Sequence, residues 1–377
     1  MESQATGKTL NGNTLVLLIL MAAGAAAMLY RLITGLGQPV TNLNDIVPWG
    51  FWLGFDVLGG VAMAAGGFII ACAVYLFNWE TYKPIARPAI LTAFLGYLMA
   101  VVALFLDIGH PFRLWHPAVM WQIHSVMWVV AIHVIFYTTT LAIESSPMLF
   151  ERLRWDKARA TVQKIMVAAV IFGVMLSTLH QSSLGAVFLI AKAKLSPLWF
   201  SGALPYHFLV SAIAMGMAMV SLESYLSGRA FNHRINPEIF RGLGRGVMIV
   251  LGFYLLLKLY QLVAQAGIGA AFDGSLSANM YLLEMGLGVI LPLALLALKQ
   301  VRENTRRMVG VNILVIVGVL VNRLNVSIFG MNEYIAERGV AYFPALLEFV
   351  ITLGVVSLGI FLFKMAAQHL PLFSEGH

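Results

Sequence analysis

Charge is what this sequence has least of: 11% of its 377 residues are Asp, Glu, Lys or Arg, against about 25% in ordinary soluble domains. So little polar surface cannot face water all round, which excludes a soluble globular protein. Cysteine is nearly absent too. The single one, Cys72, lies inside an apolar run, so disulfides, paired-cysteine metal sites and cysteine-ligated iron-sulfur clusters find no ligands in this chain. There is no glycine-rich nucleotide fingerprint and no convincing internal repeat. No stretch is long enough for a soluble domain beside the membrane part, because apolar runs recur from residue 13 to residue 366 with short gaps. What is present is apolar: 60% of residues are hydrophobic, with a mean hydropathy of +0.85. The formal net charge of +7 therefore reports orientation in a bilayer rather than nucleic-acid binding.

A helix crosses the hydrocarbon core with roughly 20 apolar residues, and ten such segments can be drawn: 13–35, 50–78, 88–108, 123–145, 163–190, 203–227, 243–267, 278–299, 308–328 and 343–367. The first resembles a signal peptide in having Lys8 before an apolar stretch, but it continues through Leu29 and Tyr30 and reads as a span. The basic residues give an independent check. The N-terminus and the even-numbered loops, with the segment end at Lys364, hold 17 of the 24: Lys8, Lys83, Arg87, Arg152, Arg154, Lys157, Arg159, Lys164, Arg229, Arg234, Arg241, Arg245, Lys299, Arg302, Arg306, Arg307 and Lys364. The opposite side holds Arg31, Arg113, Lys192, Lys194 and Arg338, and Lys258 and Arg323 lie within spans. This asymmetry predicts a multi-pass protein of the cytoplasmic membrane with both termini in the cytoplasm. The longer loops, such as 109–122 with Trp115, His116 and Trp121, then fall outside. A partner protein on that face is expected, since no loop is large enough for a catalytic domain.

Ionisable residues inside spans cost roughly 3 kcal/mol on insertion scales and are functional candidates by default. Counting depth at about 1.5 Å per residue, the first half of the chain gathers such a group toward the outer side. Asp56 lies about six residues into span 2, Asp107 and His110 end span 3 with Arg113 just beyond, and His124 opens span 4. His180, Gln181, Ser182 and Ser183 come two-thirds along span 5. A bland reading pairs Asp107 with Arg113 and lets Asp56 cap backbone groups, but a helix-end lock needs two residues and this group has at least seven. In span 4, His133, Tyr137, Thr140 and Glu144 form one stripe from mid-membrane to the cytoplasmic end, suited either to relaying protons or to packing on a polar neighbour. The second half carries Lys258, Gln261 and Gln265 in span 7, Glu284 in span 8, Asn322, Arg323 and Asn325 in span 9 and Glu348 in span 10. Its charged members, Lys258, Glu284, Arg323 and Glu348, are expected to form a structural network holding spans 7 to 10 together. Small residues in span 2, among them Gly60 and Ala64, predict close helix approach around it.

Haem b is the first redox group to test. His124 and His133 are nine residues apart, about 180° round a helix, so they cannot both face one bundle interior; a single haem between His124 and His207 stays open. The outer cluster instead suits a quinone, which needs hydrogen bonds to two carbonyl oxygens, nearby proton donors and aromatic walls such as Trp49, Phe51, Trp52 and Phe55. A polytopic ion transporter, a b-type cytochrome and a purely structural anchor are the competing readings.

Several segments then carry a likeness: Pro48-Trp49-Gly50-Phe51-Trp52, Phe55-Asp56, Leu106-Asp107-Ile108-Gly109-His110-Pro111, Glu144-Ser145-Ser146-Pro147, and above all Thr178-Leu179-His180-Gln181-Ser182-Ser183-Leu184-Gly185. Nearly the whole chain resembles the NrfD/PsrC family, in its ten-span HybB-type branch. The resemblance implies an all-α polytopic fold of two four-helix bundles, about 50–190 and 203–328, with flanking helices at 13–35 and 343–367. It implies a quinone-reactive subunit of a bacterial respiratory complex, using menaquinone or another quinone, with no haem or iron-sulfur cluster of its own. Its implied partner is an extracytoplasmic ferredoxin-like 4Fe-4S subunit, and through it a hydrogenase, a multihaem cytochrome c or a molybdopterin enzyme. Asp56, Asp107, His180 and Gln181 fall on family motifs and are the foremost candidates for quinone binding and proton exchange. Ser182 and Trp49 accompany them, His110 is shared with an electrostatic role, and Arg113 and His124 rest on their depth.

Overall fold

The computed structural model describes residues 12–233 and 235–373; Lys8 and Arg234, both counted for orientation, lie outside the described residues. All regular structure among these residues is helical. Ten helices are long and apolar enough to cross a membrane: α1 Gly12–Thr34, α2 Trp52–Leu76, α3 Glu80–Asp107, α4 Val126–Leu153, α5 Asp156–Ala191, α6 Leu204–Ala230, α7 Pro237–Ala266, α8 Leu276–Ala297, α9 Thr305–Ala336 and α10 Leu346–His369. Each expected span has its helix, but several helices run past the apolar stretch. Helix α3 begins eight residues before the expected 88 and α5 seven before the expected 163. Hydropathy reads only the hydrocarbon segment, whereas backbone hydrogen bonding continues through the Lys- and Arg-bearing ends, whose side chains reach the interface. Helix α4 starts later than expected. Ser125 is its N-cap, its hydroxyl accepting from the Trp128 amide at 3.4 Å, so His124 lies in an exposed turn before the helix.

Successive helices alternate in direction, giving the molecule two unlike ends. At the loop-rich end Asn42 donates to the Phe343 carbonyl, the Ser196 amide to the Gly330 carbonyl, and Arg31 to the carbonyls of Leu106 and Ile108 at 2.7 and 2.6 Å. At the basic end Arg87 and Arg159 meet Glu151 at 3.0 and 3.3 Å, Arg87 also donates to the Pro371 carbonyl, and Lys364 bonds Thr14.

Helices α2 to α5 pack together, as do α6 to α9, while α1 and α10 pair with each other and lie against α3. The two bundles join through α2, whose Gly66 sits on Gly216 of α6: a Cβ at Gly66 would stand 2.7 Å from the Gly216 carbonyl oxygen. Inside lipid such backbone proximity replaces the hydrophobic effect as the adhesive, through van der Waals contact. Four stretches widen into π-helix, at Trp52–Gly59, Cys72–Leu76, Leu262–Ala266 and Glu284–Ile290. A π turn inserts a residue and re-aims the side chains after it. Two of these turns carry the buried carboxylates Asp56 and Glu284.

Candidate functional site

The predicted outer group separates into two sets of contacts. At the loop-rich end Asp56 is buried on the π turn of α2 and accepts a 2.5 Å hydrogen bond from the Thr352 hydroxyl of α10. Half-buried Asp107 ends α3, where Arg31 of α1, itself buried, caps the final carbonyls of that helix. A cation there suits the negative helix end. Glu348 stands beside them, not with Lys258, Glu284 and Arg323 as the sequence suggested. One of its oxygens accepts from the Thr41 hydroxyl and the Ala345 amide, both at 3.0 Å, and the other from the Tyr342 hydroxyl at 2.7 Å. Trp52 donates its indole N–H to the Glu348 carbonyl at 3.2 Å. Charge balance had grouped Glu348 with the second bundle; packing of α10 against α3 places it by the first. Burial, and then the neighbouring Glu348 carboxylate, hold the Tyr342 phenol above its ordinary value, so it stays a proton donor.

The second set lies deeper. On α3, Tyr97 is ten residues from Asp107, about 15 Å along the axis. Its ring stands 4.7 Å from that of Tyr137 on α4 and 5.5 Å from that of His180 on α5. His180 also faces His133 at 6.4 Å, and His133 Nδ1 lies 3.3 Å from the Ser183 hydroxyl. Gln181 donates to the Val61 carbonyl of α2 at 3.0 Å, tying the bundle across its interior. The hydroxyls of Tyr97, Tyr137 and Ser177 and both nitrogens of His180 are buried without a protein partner. Groups of this kind are nearly always satisfied by water or a bound molecule. Toward the basic end Glu144 is buried over Gly173, whose missing side chain makes the room: a Cβ there would meet its carboxylate at 2.6 Å. Thr140, one turn away, spends its hydroxyl on the Phe136 carbonyl.

In the second bundle Lys258 and Glu284 meet at 3.0 Å with almost no exposure. Asn322, Asn325 and Trp199 each add a donor to Glu284 at 2.9, 2.8 and 2.8 Å. Arg323 donates to the Asn322 side-chain oxygen, the Phe208 carbonyl and the Ser211 hydroxyl, and its guanidinium lies 3.9 Å over the Phe208 ring. Lys258 and Glu284 neutralise each other and both terminal nitrogens of Arg323 are bonded, leaving only its Nε without a protein partner, which makes these charges bearable in lipid.

Of the remaining expected residues, Trp49 is half-buried with its ring edge-on to Phe188 at 4.9 Å. Ser182 spends its hydroxyl on the Thr178 carbonyl. His110, Arg113 and His124 are exposed in the loop before α4; Arg113 makes no ion pair with Asp107 among the described residues, and the basic residue at that helix end is Arg31, bonded to the Leu106 and Ile108 carbonyls. His207 is buried in the second bundle, 6.2 Å from the Tyr254 ring, so it and His124 belong to different bundles. Tyr97, Ser177, Arg31, Thr352 and Tyr342 were not foreseen as part of these groups. The one sequence signal for Tyr97 is its mid-span position, since membrane tyrosines favour the interface; Thr352 shows itself only as the residue one turn after Glu348.

A family model described as "Polysulphide reductase, NrfD" matches residues 39–334. The chain is 38% identical to a Nitratidesulfovibrio vulgaris protein, over 95% of this chain and 93% of that one. It is 31% identical to the Escherichia coli "Probable Ni/Fe-hydrogenase 2 b-type cytochrome subunit", over 91% and 87% of the two chains. It is 26% identical to "Menaquinone reductase, integral membrane subunit" of Nitratidesulfovibrio vulgaris, over 92% and 88%.

Proposed function

Because this chain belongs to the NrfD family, we propose that it is the membrane subunit of a respiratory redox complex, exchanging electrons between a menaquinone-type quinone and an iron-sulfur partner. Two of the relatives, one a hydrogenase subunit and one a menaquinone reductase subunit, support this reading. The excess of Lys and Arg at the basic end supports a cytoplasmic position for that end, in a bacterial inner membrane. The loop-rich end then faces outward, and the exposed Phe112, Trp115 and Trp121 offer a ferredoxin-like 4Fe-4S subunit a surface to dock on. That subunit would serve a hydrogenase, a multihaem cytochrome c or a molybdopterin enzyme. With one cysteine the chain cannot ligate a cluster of its own, so electrons pass between quinone and partner directly.

The observation that carries the reading is His180, wholly buried in the first bundle with neither ring nitrogen bonded to protein. A quinone entering the bundle from the loop-rich end passes Asp107 first, with Asp56 nearby and turned onto Thr352 of α10, and meets the imidazole and phenols of His180, Tyr97 and Tyr137 at its deeper end, with Trp49 and Phe188 as a wall. Reduction takes up two protons and oxidation releases them. The carboxylates exchange these at the outer side, while His180 and the two tyrosines donate to a carbonyl oxygen. The stripe His133, Tyr137, Thr140 and Glu144 supplies a second route toward the cytoplasm, which would make the reaction electrogenic.

The test is turnover of a short-chain menaquinol analogue in membranes holding the whole complex. General acid–base groups contribute roughly 10²–10⁴-fold, so His180→Ala and Asp107→Asn are each expected to lose at least about tenfold with the partner still bound. Full turnover in both would leave the chain a pure anchor and overturn the proposal.

A further inference from the structure

Asp56 is buried toward the loop-rich end, and its hydrogen bond leads away from the bundle interior. It accepts from Thr352 of α10. One turn earlier on α10 is Glu348, on the same face and about 5–6 Å away between Cβ atoms. Glu348 in turn accepts from Thr41 and Tyr342, and these two residues line an open cavity of about 520 Å³ between the 38–44 segment and Ala341–Phe343. A buried carboxylate thus lies one hydroxyl and one helical turn from a second carboxylate, whose Tyr342 and Thr41 partners line the cavity at the loop-rich face.

We propose that Thr352, Glu348 and this cavity are the outer proton path of Asp56, with Glu348 its carboxylate carrier. The inference rests on the reading of a quinone reaction at this end. A proton bound for Asp56 leaves the Thr352 hydroxyl, which is reprotonated from Glu348 across one helical turn; Glu348 takes its proton in turn from the Tyr342 hydroxyl, which regains one from hydronium in the cavity it lines. With the hydroxyls turned about, the same sequence runs outward; no electron moves in either direction. Helix capping alone does not account for the arrangement. A capping box uses the side chain of the third residue to hold the N-cap amide, which occupies one oxygen of Glu348 at Ala345. The other oxygen is turned onto the phenol that lines the cavity.

The complex in its native membrane, turning over a short-chain menaquinol analogue, tests this. Gln at 348 preserves the capping geometry, since Glu and Gln both serve in that box, but carries no proton. Glu348→Gln is expected to lose about tenfold in turnover at unchanged KM and to show a larger solvent isotope effect. Glu348→Asp should recover most of the rate, and formate should raise the rate of Glu348→Ala, the small acid entering from the cavity. Wild-type turnover in Glu348→Gln, or a loss seen only in KM, overturns the path. Asp56→Asn separates the two levels of argument. Loss there with full activity in Glu348→Gln removes the path alone, and full activity in Asp56→Asn removes the quinone reading at this end with it. Should the Glu348 variants not accumulate, Thr352→Val leaves the cap untouched and is judged by the same rate and isotope effect.

Discussion

Removing the ammonium group of Lys258 with Lys258→Met should expose how the second bundle is held. The ion pair to Glu284 spans 3.0 Å with 2% and 1% exposure. At an effective dielectric of about 20, two unit charges at that separation attract by roughly 5 kcal/mol, and breaking a buried pair typically costs about 3–5 kcal/mol because a charge is left uncompensated. Glu284 would keep the three donors from Asn322, Asn325 and Trp199, so the lower figure, about 3 kcal/mol, is expected. At about 2 °C per kcal/mol for a large chain, the melting temperature should fall about 6 °C. Cys72, the single thiol and half-buried within α2, permits the assay: a thiol-reactive dye reports unfolding of detergent-solubilised protein on heating. The double variant Lys258→Met with Glu284→Gln removes both charges and keeps an amide to meet the three donors. It should recover most of the loss, in keeping with the near-neutral replacement of whole buried pairs. A single variant melting within 1–2 °C of wild type, or a double variant worse than the single, would refute the structural role given to this pair.

Three further outcomes are expected. Glu144→Gln should abolish proton uptake from the cytoplasmic side in proteoliposomes while sparing quinol turnover, and an unchanged proton stoichiometry would remove the relay along α4. Gly66→Val should prevent accumulation of folded protein, since backbone of α6 stands where its Cβ must go, whereas Gly60→Ala, with nothing within 4 Å of the new Cβ, should accumulate normally; immunoblots of membranes decide. Arg31→Met removes two charge-assisted hydrogen bonds to the end of α3, worth about 1.5–3 kcal/mol each, and should lower the melting temperature by at least about 6 °C; no change would show that water takes over the cap.

The ten crossings and their alternation were legible because both rest on one-dimensional signals. Apolar length sets the span, and the side on which Lys and Arg fall sets the parity. The membership of the deep site was partly legible for the same reason: His133, Tyr137 and Glu144 share one helical stripe, and a fixed rise gives their depth. Illegible were facts about which helix faces which. Depth put Asp56 in the outer group but does not say which helix it faces; the π turn over Trp52–Gly59 re-aims the side chains it carries, and the carboxylate meets Thr352 on α10. Nothing in the composition of that stretch announces a π turn. Glu348 was grouped with Lys258, Glu284 and Arg323 by summing charges at one depth, a rule blind to the position of α10.

That displacement of Glu348 changes how the buried charges divide. Without it the loop-rich half of the second bundle holds two cations and one anion, Lys258, Arg323 and Glu284, which meet amides, an indole, carbonyls and a ring face, while a second buried carboxylate, Glu223 of α6, lies toward the basic end. The loop-rich end of the first bundle holds Asp56, Asp107 and Glu348 against one buried cation, Arg31. The first arrangement is what a scaffold needs, since Lys258 and Glu284 are committed to each other and to fixed partners. The second leaves more carboxyl groups than cations, bonded mainly to hydroxyls and backbone groups. Such groups, set beside an open cavity, are suited to passing protons on. The division of labour between the bundles follows from where one glutamate sits.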